Sequence, residues 1–551
     1  MSTFTWLFLA CTGPSRPNPN LTDKQGQGDT APDTDGVVDT DTRSETDTLT
    51  ETDSPLDTDT DTVSSDTGYW VVPSPPECDV LDVPSINPGP VVSASDMYLL
   101  RVDGEKKSHC HFGLGLGDND GDGQDEFALS CWGDSTPSSH RGEAWIFDGH
   151  GSGLLGRNDA ATVVVGRTRS DGTYLAVGEL TRPGKRDLVF SGQTQYQHET
   201  HVIQLPAPLG FVDATAVSAA SIPPVSYTFG AVSVGDYTGD GQDDLSVNGN
   251  VPPLTYYFPS YAYSFYPQGG VSIYPGPLSG VLDPLADAYA SFEASEVDEW
   301  LPDIQRISGL YSPALVGDTS PDGHADVLMG GEMMMDFAPN YLGYFDNHQG
   351  MVYYSDAAGG THSAFDAQAI LYGTCYALFG EPQSPVGDVT GDGLPDAAAG
   401  GFNLTVGGLT HRGGVFVLSK LSTAFGYQSV ADVSGAIILG EGIGDLLGDV
   451  GYLGDLNQDG VDDLVVGARF AGRVYLFLGP VSGTIHAADA DLIIQADAIE
   501  DGTFGSRVSG IGDIDGDGVV DLMVASITAS WGGNEAGAVW IFSGAALLAE
   551  M

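Results

Sequence analysis

The residues best placed to do chemistry are acids at a fixed spacing. In DLNQDGVDD, which starts at Asp455, side-chain oxygens stand at the first, third, fifth and ninth positions and a glycine at the sixth. Oxygens so placed, with a backbone carbonyl at the seventh, suit calcium, a hard cation that takes roughly six to eight oxygen ligands in flexible geometry. The pattern recurs in DNDGDGQDE from Asp118, DYTGDGQDD from Asp236, DTSPDGHAD from Asp318, DVTGDGLPD from Asp388 and DIDGDGVVD from Asp513. The candidate ligands are therefore Asp118, Asp120, Asp122 and Glu126; Asp236, Thr238, Asp240 and Asp244; Asp318, Ser320, Asp322 and Asp326; Asp388, Thr390, Asp392 and Asp396; Asp455, Asn457, Asp459 and Asp463; and Asp513, Asp515, Asp517 and Asp521. A hydroxyl at the third position of the loops from Asp236, Asp318 and Asp388 predicts weaker sites there. An EF-hand is excluded, because it needs flanking helices and a bidentate Glu at its twelfth position, where the loop from Asp455 has Val466 on an apolar run. A seventh copy, ELTRPGKRD from Glu179, brings in Lys185 and Arg186 and keeps Asp187 alone of the late acids. No ion is expected in it, which leaves about six structural calcium sites.

The loops mark a repeat, with starts spaced 61, 57, 82, 70, 67 and 58 residues apart. Before most of them stands Phe-Gly or a near variant: Phe112-Gly113, Phe229-Gly230, Phe379-Gly380, Leu447-Gly448 and Phe504-Gly505. After each comes a short apolar run such as DLVVGA, then a third such as RVYLFLG and a fourth such as AIILGEG. Four short β-rich runs punctuated by glycine read as a four-stranded antiparallel sheet. One such sheet cannot bury both of its faces. Seven stacked radially can, which predicts an all-β, seven-bladed β-propeller. The last copy lacks a clear fourth strand, and a spare one lies upstream in DMYLLRVDGE. Met97–Val102 is expected to complete the last blade and close the ring, leaving no open sheet edge.

The Phe-Gly start, the Asp-rich loop and the Gly-Ala strand end resemble FG-GAP repeats, which build the seven-bladed propeller head of integrin alpha subunits. The resemblance covers about residues 96–545. It implies that ligands are bound on the face away from the calcium loops. FG-GAP propellers also accompany catalytic domains, as in a glycosylphosphatidylinositol-specific phospholipase, but here the repeats leave no residues for one.

With 76 acids against 19 bases in 551 residues and a formal charge of −57, the chain is an unsuitable partner for nucleic acid. Residues 1–11, MSTFTWLFLAC, resemble a bacterial lipoprotein signal peptide in which Cys11 is lipidated, although no Lys or Arg precedes the apolar run. Residues 12–75 are low-complexity, and from Leu21 to Thr67 fourteen acids face two bases, a net of −12. A segment of that composition cannot bury enough apolar surface to order itself, and like charges extend it. The expected plan is an anchor at 1–11, a disordered Asp/Thr-rich linker at 12–75, a lead-in at 76–95 and a propeller at 96–551. The expected location is the bacterial outer membrane or cell surface, reached by export, with the membrane touched only through the lipid. No run of 18 apolar residues is present to span a membrane.

In each repeat the link between the second and third strands falls on the face away from the calcium loops. The two longest such links are aromatic. One carries Tyr256, Tyr257, Tyr261, Tyr263 and Tyr266; the other carries Phe337, Tyr341 and Tyr344. They are candidate contacts for a protein or glycan partner, since rigid aromatics are efficient contact residues. Packing on each other to cover the ring is the competing role. Cys110 and Cys131 flank the first hairpin and are a candidate disulfide, in keeping with export. No nucleophile elbow, zinc-protease, P-loop or dinucleotide motif stands out. The expected function is a calcium-stabilised, surface-tethered binding or adhesion propeller, monomeric and without enzymatic activity. The alternatives are a hydrolase or lyase with its site at the central channel, and a structural surface protein without a specific ligand.

Overall fold

Each repeat forms one blade of a seven-bladed β-propeller in the computed structural model. The structure describes residues 85–551 apart from 106–108, 133–140, 150–151, 169–170, 193–198, 224–230, 250–269, 294, 297–305, 335–346, 356–357, 374–378, 498–501 and 531–535. The expected anchor at 1–11, the linker at 12–75 and residues 76–84 of the lead-in lie outside these residues, as do both aromatic links. All the described residues belong to the unit Tyr69–Met551. Blades are numbered here by their acidic loops, so blade 1 carries the loop from Asp118 and blade 7 the loop from Asp513.

Blade 6 shows why the sequence folds this way. Leu447–Gly454 runs into the acidic loop, Asp463–Ala468 returns, and Arg473–Phe477 and Leu492–Gln495 follow, all antiparallel. Every residue of Asp463–Ala468 is buried, because neighbouring blades cover both of its faces. Leu464 and Val466 pack in the apolar cluster shared with blade 5, and Val465 packs in the one shared with blade 7. This two-sided burial is why the strand reads as a continuous apolar run rather than an alternating one. Each such side chain contributes about 1.5–3 kcal/mol when fully buried. Seven clusters of this kind fill the seven interfaces between blades. First strands lie against one another around the axis and approach closely there. A Cβ on Gly451 would sit 1.9 Å from the backbone oxygen of Val508 in blade 7, and one on Gly115 would sit 2.1 Å from that of Ile511.

The ring closes as expected, within one residue. Tyr98–Asp103 pairs antiparallel with Ala538–Phe542 and supplies the fourth strand of blade 7, with Arg101 opposite Trp540. The structure also adds a strand that the repeat pattern does not show. In each repeat the link between the third and fourth strands swings outward and lays a short parallel strand on the edge of the preceding blade. Thus Gly210–Asp213, from repeat 2, pairs with Thr162–Val165 of blade 1, and Gly483–His486, from repeat 6, pairs with Ala436–Leu439 of blade 5. Gly153–Leu155 does the same for blade 7, and Val91–Ser93 for blade 6. The lead-in segment therefore carries a paired strand of its own. Blade 4 gains one more at its inner end, Ser295–Glu296, making six.

Antiparallel hairpins set the two faces of the ring. The acidic loops, joining first to second strands, lie on one face; the links between second and third strands lie on the other. On that second face Cys110 and Cys131, directly opposite in blade 1, form a disulfide with a Cα–Cα separation of 4.0 Å.

Candidate metal centres

The six intact loops share one geometry. The first-position carboxylate turns inward and accepts backbone N–H groups from the fifth and sixth positions. In blade 6 Asp455 takes them from Asp459 at 2.9 Å and Gly460 at 2.8 Å. Asp118, Asp236, Asp318, Asp388 and Asp513 accept from the corresponding groups of their own loops. The fifth-position acids Asp122, Asp240, Asp322, Asp392, Asp459 and Asp517 each accept the N–H two residues on. The sixth-position glycine has φ between 85° and 94° in all six loops, with open space where a Cβ would stand. Only glycine adopts that left-handed conformation without strain.

The ninth-position acid is the buried wall of each cup. Asp244, Asp326, Asp396, Asp463 and Asp521 are at most 1% exposed, and Glu126 is 7% exposed. In blade 7 one Asp521 oxygen accepts the N–H of Ile514 at 2.9 Å and the other that of Gly544 at 2.9 Å, beyond the third strand. Asp463 takes the N–H groups of Leu456 and Gly479 in the same way, and Asp244 those of Thr238 and Gly276. Blade 5 departs from this. The corresponding N–H, of Lys420, goes to the Val433 carbonyl, so Asp396 Oδ1 is buried without a hydrogen-bond partner. A buried carboxylate oxygen left in that condition is costly unless a cation meets it. Burial pushes Asp521 up to about 7 and Asp396 and Asp463 up to about 6. Burial likewise raises Glu126, Asp244 and Asp326.

The third position decides how many carboxylates converge. Asp118, Asp120 and Glu126 bring ligand oxygens within 4.8 Å of one another, as do Asp513, Asp515 and Asp521. In the other four intact loops, among the described residues, no three acids come that close. There the third position is Thr238, Ser320, Thr390 or Asn457. Ser320 and Thr390 turn their hydroxyls to the ninth-position acid, at 3.1 Å from Asp326 and 2.9 Å from Asp396. The donor set in blades 1 and 7, hard oxygens only with three carboxylates at each, could hold a metal ion and fits a hard divalent one.

Loop two is built differently. Its strands extend to Tyr174–Arg182 and Lys185–Ser191, so that Arg182 pairs with Lys185 across a two-residue Pro183-Gly184 turn. Glu179 accepts the N–H of Gly184 at 2.6 Å, and Asp187 accepts from Leu180, Thr181 and the Thr181 hydroxyl. No carboxylate replaces those of the third and fifth positions.

A feature the sequence reading did not use is the eighth position. Here a loop reaches across to the blade before it. Asp125 accepts the N–H of Asp513 at 3.0 Å, Asp243 that of Glu179 at 2.7 Å and Asp462 that of Asp388 at 2.8 Å. In loop two the eighth residue is Arg186, whose guanidinium lies beside Gly117 at the edge of the loop-one cup.

A ring of seven blades whose hairpin loops gather acids defines the class as a seven-bladed β-propeller with acidic inner-hairpin loops. The comparisons with known proteins agree with that. Integrin alpha-4 of Xenopus laevis is 33% identical over 111 residues, which is 19% of this chain and 10% of that protein. Integrin alpha-5 of Xenopus laevis is 38% identical over 103 residues, 16% of this chain and 9% of that protein. Human integrin alpha-7 is 39% identical over 77 residues, 14% of this chain and 6% of that protein. The matches thus span a tenth or less of these relatives. No protein-family model matches the chain. A solved structure of a protein of unknown function from Dyadobacter fermentans DSM 18053 covers 81% of this chain and 98% of its own, at 12% identity and a TM-score of 0.36. The chain is an integrin alpha-like propeller of FG-GAP repeats.

Proposed function

We propose that this protein is a calcium-stabilised binding propeller, displayed at a cell surface on its acidic linker and lipid-anchored through Cys11. It engages a protein or glycan partner on the face opposite the acidic loops. The observation that carries the calcium reading is the convergence of three carboxylates in blades 1 and 7 around a glycine turn that recurs in all six intact loops. Clustered carboxylates repel one another unless a cation sits among them. About six ions, one per intact loop, would staple the inner hairpins and offset part of the chain's −57 charge. Calcium here is structural, and Asp118, Asp120, Asp122 and Glu126 with their counterparts hold it.

The binding reading rests on the likeness to integrin alpha chains. Its candidate contacts are Tyr256, Tyr257, Tyr261, Tyr263, Tyr266, Phe337, Tyr341 and Tyr344. A glycan and protein array, probed with the wild type and with Tyr257 and Tyr261 changed to Ala, tests it. A hit weakened by the substitutions supports the reading, and binding that persists unchanged removes these residues from the site. Among the described residues, no helix is long and apolar enough to cross a membrane.

Among the described residues, the enzyme alternative can point to a cavity. About 530 Å³ opens at the acidic-loop end of the channel, beside Val234, Leu315, Pro385, Pro395, His324 and Tyr452. The carboxylates at its rim, Asp236 and Asp318, are already bonded to their own loop backbones. The binding reading is therefore preferred.

A further inference from the structure

Charge on the face opposite the acidic loops is arranged around one buried acid. Asp449, in the first strand of blade 6, is 1% exposed. Two guanidiniums reach it: Arg507 of blade 7 at 2.6 Å, and Arg469, which follows the second strand of blade 6, at 3.2 Å. Burial pushes the Asp449 carboxyl up, and both guanidiniums pull it back down. Arg469 is held flat as well, its guanidinium carbon 4.1 Å from the centre of the Phe402 ring of blade 5.

One carboxylate neutralises one of these two cations and leaves the other uncompensated. A neighbouring arginine shows the contrast. Arg473 has an acid of its own, Glu441, at 2.7 Å. Among the described residues, Arg469 and Arg507 form ion pairs with Asp449 alone. The Arg507 side chain is 39% exposed, so the surplus charge faces outward. In a chain with 76 acids and 19 bases, a fixed local excess of positive charge is unusual. Exposed apolar side chains lie on the same face. Phe470, directly after Arg469, is 58% exposed, and Ile443, in the link whose Glu441 holds Arg473, is 66% exposed. Arginine and aromatic residues together are the composition of binding hot spots. A planar guanidinium fork matches a carboxylate in two parallel hydrogen bonds.

We propose that Arg469 and Arg507 form a carboxylate-binding subsite on this face. It takes an Asp or Glu side chain from an acidic peptide segment of a partner protein, while Phe470 and Ile443 contact an apolar residue beside that acid. Asp449 positions the two guanidiniums and does not touch the ligand. A peptide is chosen over an acidic sugar because the exposed aliphatic Ile443 can pack on an apolar side chain but makes no hydrogen bond to hydroxyl groups. The subsite rests on the reading of this face as the partner face, and it lies in blades 5 to 7.

The test uses the whole protein in calcium and fluorescein-labelled dodecapeptides with one leucine and two glutamates, against the same peptides with glutamine. Glutamate peptides should bind at least tenfold more tightly, with affinity falling as salt rises. Arg507→Gln and Arg507→Lys should each lose about tenfold, and Phe470→Ala should lose several-fold. Phe470 is exposed enough to be replaced without unfolding the blade, and a melting curve checks each variant. Equal binding of glutamate and glutamine peptides, or unchanged affinity in both Arg507 variants, overturns the subsite. An oligogalacturonate that binds through Arg507 while the peptides do not overturns the peptide assignment. If the peptides fail but an array partner still depends on Tyr257 and Tyr261, the subsite alone falls and the partner face stands.

Discussion

Loop two and loop seven start from the same framework and end in different chemistry. Both keep a glycine with positive φ at the sixth position, Gly184 and Gly518, and both keep a fully buried ninth-position Asp, Asp187 and Asp521. Both of those acids accept loop backbone N–H groups. Loop seven adds Asp515 and Asp517; loop two has Thr181 and Pro183 in their places. The buried acid therefore has a first role that needs no ion: it pins the hairpin. The third and fifth positions are what turn a pinned hairpin into a cup for a cation.

That comparison can be broken most forcefully by removing the metal. A ligand at about 100 times its Kd stabilises the folded state by about 2.7 kcal/mol per site. For a folded unit of roughly 450 residues, at about 2.1 cal/mol/K of unfolding entropy per residue, each kcal/mol is worth about 1 °C, so about six sites together are worth more than 10 °C. Chelation should therefore lower the melting temperature by 10 °C or more, and metal analysis should find calcium in the untreated protein. An unchanged melting curve with no bound calcium would sink the metal reading for every loop.

The next effect is on pH. Without metal, Asp521 has a folded value of about 7 against an ordinary 3.8. The folded state then holds that proton more tightly than the unfolded one. Its contribution to stability is complete below about pH 4 and is lost as pH rises through about 7. Asp396 and Asp463, at about 6, act in the same sense. In chelator, stability should fall from pH 4 to 7. With calcium the ionised forms are the ones held, so affinity should fall as pH drops below about 7. Thermal melts across that range, with and without chelator, check both signs.

Single substitutions sharpen the contrast between the two loops. Asp187→Asn should cost about 1–3 kcal/mol whether or not calcium is present, because only hydrogen bonds are lost. Asp521→Asn should cost more than that in calcium, and much less in chelator. Equal costs for the two variants in calcium would mean that loop seven holds no ion. The smallest effect belongs to the eighth position: Asp125→Ala removes one bond to blade 7, at about 1 kcal/mol, in denaturant melts of the calcium-loaded protein.

What the sequence shows plainly is whatever repeats. The acidic loops, the glycine turn, the four antiparallel strands and the closing segment upstream all follow from period and pattern. The strand that each repeat lends to its neighbour does not. Gly210–Asp213 is short and mostly exposed, and its partner Thr162–Val165 lies some fifty residues back, in a parallel pairing that leaves no alternation. The eighth position was hidden for a related reason. It is Asp in loops one, three and six but Arg, Ala, Pro or Val in the others, so its reach into the preceding blade shows only in space. Asp449 is also silent in sequence, since its partners Arg469 and Arg507 lie 20 and 58 residues away. The aromatic links at Tyr256–Tyr266 and Phe337–Tyr344 lie outside the described residues.

The borrowed strands also set an order in time. Val91–Ser93 and Tyr98–Asp103 leave the ribosome well before their partners at Ile493–Gln495 and Ala538–Phe542. Neither blade 6 nor blade 7 can be completed until those partners are made. The early segment must wait for them through more than 380 residues of growing chain, and the ring cannot shut before they arrive.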